Sequence, residues 1–109
     1  MSFPKILVIC SRNQWRSRTA ETMYHNRQDI HVKSAGTATG ARIRVSASLL
    51  NWADRVLVME EKHQDHLFTK FPVEAAKVPI EVLHIPDEYT YMDVELQEEL
   101  REVIDGATD

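Results

Sequence analysis

The sequence has little cysteine, no long apolar run and no extended stripe of basic residues. Cys10 is the single cysteine among 109 residues, which excludes an internal disulfide and leads us to expect a reducing, cytoplasmic setting. No apolar run approaches the roughly 20 residues of a membrane span, and the short run before Cys10 lacks the architecture of a signal peptide. Nucleic-acid binding favours a longer basic stripe than this chain offers. We therefore expect a cytoplasmic protein with neither a nucleic-acid nor a membrane partner.

Length and composition are those of one ordinary globular domain. The 109 residues are 43% hydrophobic and 28% charged, with a formal net charge of −4. A chain of this length can bury a modest core, so we predict a single domain over residues 1–109. Acidic residues concentrate in the last quarter and arginines nearer the N-terminus. This distribution suits an anionic ligand close to the N-terminal segments.

Strand-like and helix-like patterns alternate along the chain. The predicted strands are 5–9, 30–35, 55–59 and 78–83, and the predicted helices are 17–26, 46–52, 60–71 and 93–104. The alternation predicts an α/β fold, a three-layer α/β/α sandwich around a four-stranded, mostly parallel sheet. Pro79 lies near the start of the last strand, which predicts an edge position for that strand. Ligands of such sheets bind beyond the carboxyl ends of the strands.

The most informative stretch is residues 10–17, Cys-Ser-Arg-Asn-Gln-Trp-Arg-Ser, between the first strand and the first helix. Backbone N–H groups and the positive end of a helix dipole converge at such a junction. The dipole and a nearby guanidinium favour the thiolate form of Cys10, and the planar fork of Arg16 can grip two phosphate oxygens. A nucleophile and an anion cradle thus occur together, as phosphoryl transfer through a cysteinyl-phosphate requires. We call residues 10–17 the phosphate loop.

A structural interpretation of the same stretch is also available. A lone cysteine at the end of a buried strand is often a small core residue, and a cysteine six positions before an arginine arises by chance. The polar residues between them and Ser17, placed to open a helix, favour the anion-binding loop.

The chain resembles the low-molecular-weight protein tyrosine phosphatases, as a short and divergent member. The family carries Cys-x-Gly-Asn-x-x-Arg-Ser and then Ala-Glu, matched here by residues 10–17 and 20–21. Its second strand ends in Ser-Ala-Gly-Thr, as do residues 34–37, and its third strand resembles residues 53–60. The four matches occur in order over most of the chain.

The resemblance implies a protein tyrosine phosphatase that uses no cofactor and no metal. Cys10 would be the nucleophile, Arg16 the phosphate clamp and Asp87 the general acid. The residues implied in substrate binding are Ser11, Arg12, Asn13, Gln14, Trp15, Ser17 and Tyr89. The implied partners are a phosphorylated substrate, either a phosphotyrosine protein or a small phosphate ester, and phosphate as the product.

Two departures from the family pattern leave questions open. Arg12 stands where the family has glycine, so either this backbone position accepts a side chain or the loop has a different shape. The family's Asp-Pro pair is missing from the segment 84–93. Asp87 and Glu88 are alternative general acids there, whereas Asp93 suits the N-cap of the last helix.

Other functions compete with the phosphatase as interpretations of this loop. Arsenate reductases share the fold but need additional cysteines, and the related phosphocarrier proteins lack the loop arginine. A non-catalytic module that binds phosphate or phosphopeptides remains open, as does a phosphatase for nucleotides or other small molecules. His63 and His66 have helical metal-ligand spacing without a third ligand, so we predict a solvated helix face for them.

Overall fold

The structure is a computed structural model that describes residues 3–107, so the predicted domain bounds at residues 1 and 109 lie outside the described residues. The strands are β1 (Lys5–Cys10), β2 (His31–Gly36), β3 (Arg55–Val58) and β4 (Ile80–Val82). The helices are α1 (Arg16–Met23), α2 (Ala47–Trp52), α3 (Glu61–Lys70), α4 (Pro72–Ala76) and α5 (Val94–Ala107).

Every predicted element is present, and one further helix was missed. The pattern over residues 60–71 predicts one helix that ends at Pro72, but this proline instead occupies the first turn of α4. Proline is favoured there because its missing N–H would be unpaired in any case. Ser46, the first residue of the predicted helix 46–52, is the N-cap of α2, since its side chain accepts a hydrogen bond from the Leu49 amide at 3.2 Å.

The four strands form one parallel sheet in the order β2-β1-β3-β4. β1 is a central strand, with Ile9 opposite Ala35 on one side and Val58 on the other. β4 lies at the edge, as Pro79 predicts. The carboxyl ends of β1, β2 and β3 consequently meet along one edge of the sheet, which carries the phosphate loop.

Helices cover both faces of the sheet, so the predicted three-layer sandwich is confirmed. Alternate residues of β1 point to opposite faces: Ile6 and Val8 pack with α1 and α5, and Leu7 and Ile9 pack with α2, α3 and α4. This two-sided burial explains why the strand is apolar throughout. Within residues 3–107, no helix has the length and apolarity needed to span a bilayer.

Candidate active site

The phosphate loop is held from outside by the segment 37–42, which follows β2. Four successive loop carbonyls accept hydrogen bonds from this segment. The four bonds are Thr37 N to Cys10 O (3.1 Å), Ala38 N to Ser11 O (2.9 Å), Arg42 N to Arg12 O (3.0 Å) and Arg42 Nε to Asn13 O (3.0 Å). The carbonyl and N–H of a trans peptide point in opposite directions. The amides of residues 11–14 therefore face away from the 37–42 segment, towards the inside of the loop.

Most of these inward amides have no protein partner. The Asn13 amide donates to Cys10 Sγ at 3.2 Å. The other loop amides make no hydrogen bond within residues 3–107; they are those of Ser11, Arg12, Gln14, Trp15 and Arg16. Free donors at the start of a helix form a concave anion-binding site. The loop is thus shaped for an anion with several oxygens.

Asn13 and Ser17 lie beneath the cysteine and orient it. Asn13 has a left-handed backbone (φ 57°), a conformation that asparagine tolerates better than most residues. Its Nδ2 donates to Ser17 Oγ at 2.8 Å, and Ser17 Oγ lies 2.9 Å from Cys10 Sγ. Because Ser17 Oγ already accepts from Asn13, its own proton can be donated to the sulfur or to the Ala35 carbonyl, which lies farther away at 3.4 Å. Two donors directed at Sγ stabilise a thiolate.

Arg16 is buried, with a side chain 2% exposed. Its Nη1 donates to Glu60 Oε1 at 2.5 Å and to the Ile85 carbonyl at 2.8 Å. All of its hydrogen bonds to described residues leave from Nη1, and Nε lies 3.8 Å from Asp87 Oδ1. The edge formed by Nε and Nη2 makes no hydrogen bond to a described residue, so its donors can bind two oxygens of one anion.

Glu60 is the counter-charge that holds this arginine. Burial alone would raise the pKa of its carboxyl, but the hydrogen bond and charge of Arg16 outweigh burial, and the pKa lies below its usual value. Lys62 Nζ lies 3.6 Å from the other carboxylate oxygen. Glu60 consequently remains ionised at neutral pH.

His63 is fully buried, and the predicted solvated face is wrong for this residue. Its Nδ1 accepts a hydrogen bond from the Glu60 amide at 3.0 Å, which closes a capping box at the start of α3. Its Nε2 lies 2.9 Å from Ser11 Oγ. Burial, followed by the charge of Arg16, lowers the pKa of His63 to about 4, so the ring is neutral at pH 7.

A cavity of about 370 Å³ opens above the loop and contains most of the predicted site residues. Its lining residues are Cys10, Ser11, Arg12, Gln14, Trp15, Arg16 and Asp87. The indole of Trp15 is 46% exposed and forms part of the wall. Tyr89, predicted to bind substrate, is not brought to this cavity: it is partly buried and packs against the core between the sheet, α1 and α5.

The three candidate carboxylates occupy different places. Asp87 lines the cavity, close to Arg16. Glu88 is exposed and does not line it. Asp93 caps α5, because its Oδ1 accepts hydrogen bonds from the amides of Glu95 (2.9 Å) and Leu96 (3.4 Å). Asp87 is therefore the one of the three that can meet a bound group.

The backbone at Arg12 explains how an arginine replaces the family glycine. In the described part of the chain, the non-glycine residues with positive φ are Asn13, His84 and Met92. Arg12 thus has a conformation open to any L-residue. Its side chain is exposed at the cavity rim, so the position accepts a side chain without backbone strain.

Gly36 permits the close contact between β2 and the phosphate loop. A Cβ atom at this position would lie 2.5 Å from Ser11 O and 2.7 Å from Ala41 Cβ, closer than real Cβ contacts allow. Glu21, from the Ala-Glu pair on α1, hydrogen-bonds the amide and hydroxyl of Ser34 just before it. These contacts give physical reasons for two of the matched motifs.

Sequence reasoning missed three supports of the site: Glu60 as partner of Arg16, the Ile85 carbonyl, and Arg42 on the loop carbonyls. Glu60 stands in a matched motif, which is a usable signal. A backbone carbonyl and an arginine in an irregular segment carry no pattern that identifies them. Among the residues described, no group of three or more His, Cys, Asp or Glu side chains is placed to hold a metal ion.

Among the comparisons with known proteins, the one with solved structures identifies the fold. No protein-family model matches the chain, and no curated protein matches it in sequence. Solved structures do match over nearly the whole chain. The YwlE arginine phosphatase from Geobacillus stearothermophilus is 24% identical with a TM-score of 0.74, over 96% of this chain and 90% of that chain.

Two further solved structures extend the agreement. Wzb from Vibrio vulnificus, in complex with benzylphosphonate, is 25% identical with a TM-score of 0.68, over 98% of this chain and 95% of that one. The low-molecular-weight protein tyrosine phosphatase from Streptococcus pyogenes is 14% identical with a TM-score of 0.78, over 98% and 95%. The chain has the fold of the low-molecular-weight protein tyrosine phosphatases.

Proposed function

We propose that this chain is a cysteine-dependent phosphomonoester hydrolase of the protein tyrosine phosphatase type, acting through a cysteinyl-phosphate intermediate. The observation that carries the proposal is the position of Cys10 Sγ inside a loop of free backbone amides, beside the free edge of Arg16. A tetrahedral phosphate needs these donors, and a thiolate beneath it is placed to attack phosphorus. The two cores on opposite faces of one sheet support the accompanying proposal of one domain over residues 1–109.

In the first step, the Cys10 thiolate attacks phosphorus while the bond from phosphorus to the leaving oxygen breaks. Asp87 gives its proton to that oxygen, so the leaving group departs as a neutral alcohol or phenol. Arg16 and the loop amides stabilise the charge on the equatorial oxygens. An S–P bond has then replaced the O–P bond.

In the second step, water attacks the cysteinyl-phosphate and the S–P bond breaks. Asp87, now ionised, accepts a proton from this water. Ser17 donates to the departing sulfur across the 2.9 Å contact and stabilises the thiolate. Inorganic phosphate leaves, and both Cys10 and Asp87 return to their starting forms.

The proposed substrate class is phosphotyrosine in proteins. The exposed indole of Trp15 offers an aromatic surface beside the anion cradle, suitable for stacking on a phenyl ring. The Wzb structure that matches this fold binds an aromatic phosphonate, which agrees with a site of this kind. Small phosphate esters and, by analogy with the matched arginine phosphatase, phosphoarginine are the competing substrates.

The proposed reaction needs neither metal nor cofactor, because the amides and Arg16 supply the positive charge that a metal would otherwise provide. We also propose a cytoplasmic location. Its support is the single cysteine, which as a thiolate nucleophile must remain reduced.

Steady-state hydrolysis of p-nitrophenyl phosphate, with and without EDTA, tests the proposal. We expect EDTA-insensitive turnover by the wild type and none by Cys10→Ser, which should still bind phosphate because the cradle is mostly backbone. Equal rates for the two proteins would exclude the covalent mechanism. Phosphate binding without turnover in the wild type would favour the non-catalytic binding module. The kcat/KM of the same protein is then measured on phosphotyrosine and on phosphoarginine peptides. A higher kcat/KM on phosphoarginine would overturn the assigned substrate class.

A further inference from the structure

His63 joins helix α3 to the phosphate loop through both nitrogens of its ring. Nδ1 accepts the backbone N–H of Glu60 at 3.0 Å, so Nδ1 carries no proton. The proton of the neutral ring is therefore on Nε2, which donates to Ser11 Oγ at 2.9 Å. The capping bond thus selects the tautomer, and the tautomer decides which partner of the second bond is the donor.

This assignment determines what the Ser11 hydroxyl can do. Its oxygen accepts from His63, so its own proton must be directed elsewhere. Within residues 3–107, the side chain of Ser11 makes no hydrogen bond except that with His63, and Ser11 lines the cavity. We infer that His63 is a positioning residue that directs the Ser11 hydroxyl, as a donor, at a phosphate oxygen in the cavity. This inference rests on the proposed function of the same site.

The hydrogen bond between Nδ1 and the Glu60 amide has a second consequence for the site. By holding the Glu60 amide, the ring anchors the residue whose carboxylate holds Arg16. One buried imidazole thereby connects the first residue after the nucleophile with the partner of the arginine clamp. Ionisation would break the contact with Glu60, because a proton on Nδ1 would face the Glu60 N–H, whereas Nε2 would still donate to Ser11.

The surroundings of the ring keep it neutral. Besides burial, the charged or titratable groups that act on it are Arg16 from α1, and Glu60, Lys62 and His66 at the start of α3 or within it. Of these, only Glu60 favours the protonated ring. The ring is therefore a permanent donor to Ser11 at neutral pH and not a proton shuttle.

Two substitutions of His63 separate its two bonds. His63→Gln places an amide nitrogen near the position of Nε2, so it keeps a donor for Ser11. His63→Asn places its polar atoms near the position of Nδ1, so it keeps the cap on Glu60 but cannot reach Ser11. Ser11→Ala removes the hydroxyl and leaves His63 in place. His66→Asn, one turn further along α3, is the matched control.

The decisive measurement is the affinity for inorganic phosphate by calorimetry, made alongside thermal unfolding and p-nitrophenyl phosphate turnover. Removal of one hydrogen bond to a charged group should weaken the affinity for phosphate about tenfold. We expect this loss of phosphate affinity in both Ser11→Ala and His63→Asn, and no further loss in the double variant. His63→Gln should recover most of the affinity while unfolding at a lower temperature, and His66→Asn should bind phosphate as the wild type does.

Wild-type phosphate affinity in Ser11→Ala or in His63→Asn would overturn the inference. The inference would also fail if His63→Gln and His63→Asn lost phosphate affinity to the same extent and in proportion to the fall in their unfolding temperatures. His63 would then be purely structural. If the wild type binds phosphate without turning over any phosphoester, the proposed function fails. The affinities of the variants would still decide the role of His63.

Discussion

The Arg16 guanidinium is joined to the Glu60 carboxylate at 2.5 Å, and Arg16 is almost completely buried. Glu60 is the last residue before α3, whereas Arg16 opens α1. The pair therefore bridges two helices on opposite faces of the sheet, at the carboxyl ends of its strands. It fixes one edge of the guanidinium and leaves the other for an anion.

Glu60→Gln tests this arrangement. The substitution keeps the size of the side chain and an acceptor oxygen but removes the charge that holds Arg16. We expect kcat/KM for p-nitrophenyl phosphate to fall about tenfold, in line with the loss of a charge-assisted hydrogen bond. Glu61→Gln removes the charge of the exposed neighbour and should have little effect. Equal effects of the two variants would show that the ion pair is unimportant for the clamp.

Arg16→Lys retains the positive charge and loses the fork. A lysine cannot contact two phosphate oxygens while also holding Glu60 and the Ile85 carbonyl. We expect kcat to fall by about 10²–10³, the range seen when a preorganised donor to a developing charge is removed. Retention of most of the turnover would place the phosphate site elsewhere.

Asp87→Asn should reveal a general acid through its dependence on the leaving group. A leaving group of high pKa needs protonation and one of low pKa does not, so the loss should reach about 10²–10⁴ on phosphotyrosine-like esters and shrink on activated esters. Glu88→Gln and Asp93→Asn are the controls across the same series of aryl phosphates. A steep dependence in either control, with none in Asp87→Asn, would assign the acid to the other carboxylate.

Gly36→Ala should displace the phosphate loop where the loop packs against β2. The added methyl would meet Ser11 O at 2.5 Å, and overpacking of this kind costs about 1–3 kcal/mol. We expect a lower free energy of unfolding in urea, together with weaker phosphate binding because the loop must move. Gly40→Ala is the matched control, since nothing lies within 4 Å of the added atom. Equal stability of the two variants would contradict the close packing of β2 against the loop.

His63 should make the fold sensitive to mild acid. Its pKa is lowered from 6.5 to about 4 in the folded chain, so the unfolded chain binds more protons between these values. Stability is therefore highest above pH 6.5 and is lost as the pH falls towards 4, by at most about 1.4 kcal/mol per pH unit. Urea unfolding from pH 7.5 to pH 4.5 measures this loss, and the difference between wild type and His63→Asn isolates it from other groups. A constant difference across that range would mean that the pKa of His63 is the same in the folded and the unfolded chain.

The sequence alone determined the fold class and the position of the phosphate loop. Alternating apolar and helical patterns are local signals, and a strand that is apolar on both faces already indicates helices on both sides of a parallel sheet. The loop residues from Cys10 to Ser17 are contiguous, so their spacing is visible in the sequence itself. Ser46 is recognisable as a cap for the same reason, because a cap depends on neighbours within one turn.

Tertiary structure decided the properties that depend on residues distant in the chain. The histidine spacing suggested a solvated face, yet folding buries His63 and joins it to Ser11. Asp87 and Glu88 are adjacent carboxylates with the same chemistry, and only their positions relative to Arg16 distinguish them. A periodic pattern records which side of an element is apolar, whereas the partner of a polar side chain depends on packing between elements. For that reason Cys10 and its loop could be located from sequence, and the residues that hold them in place could not.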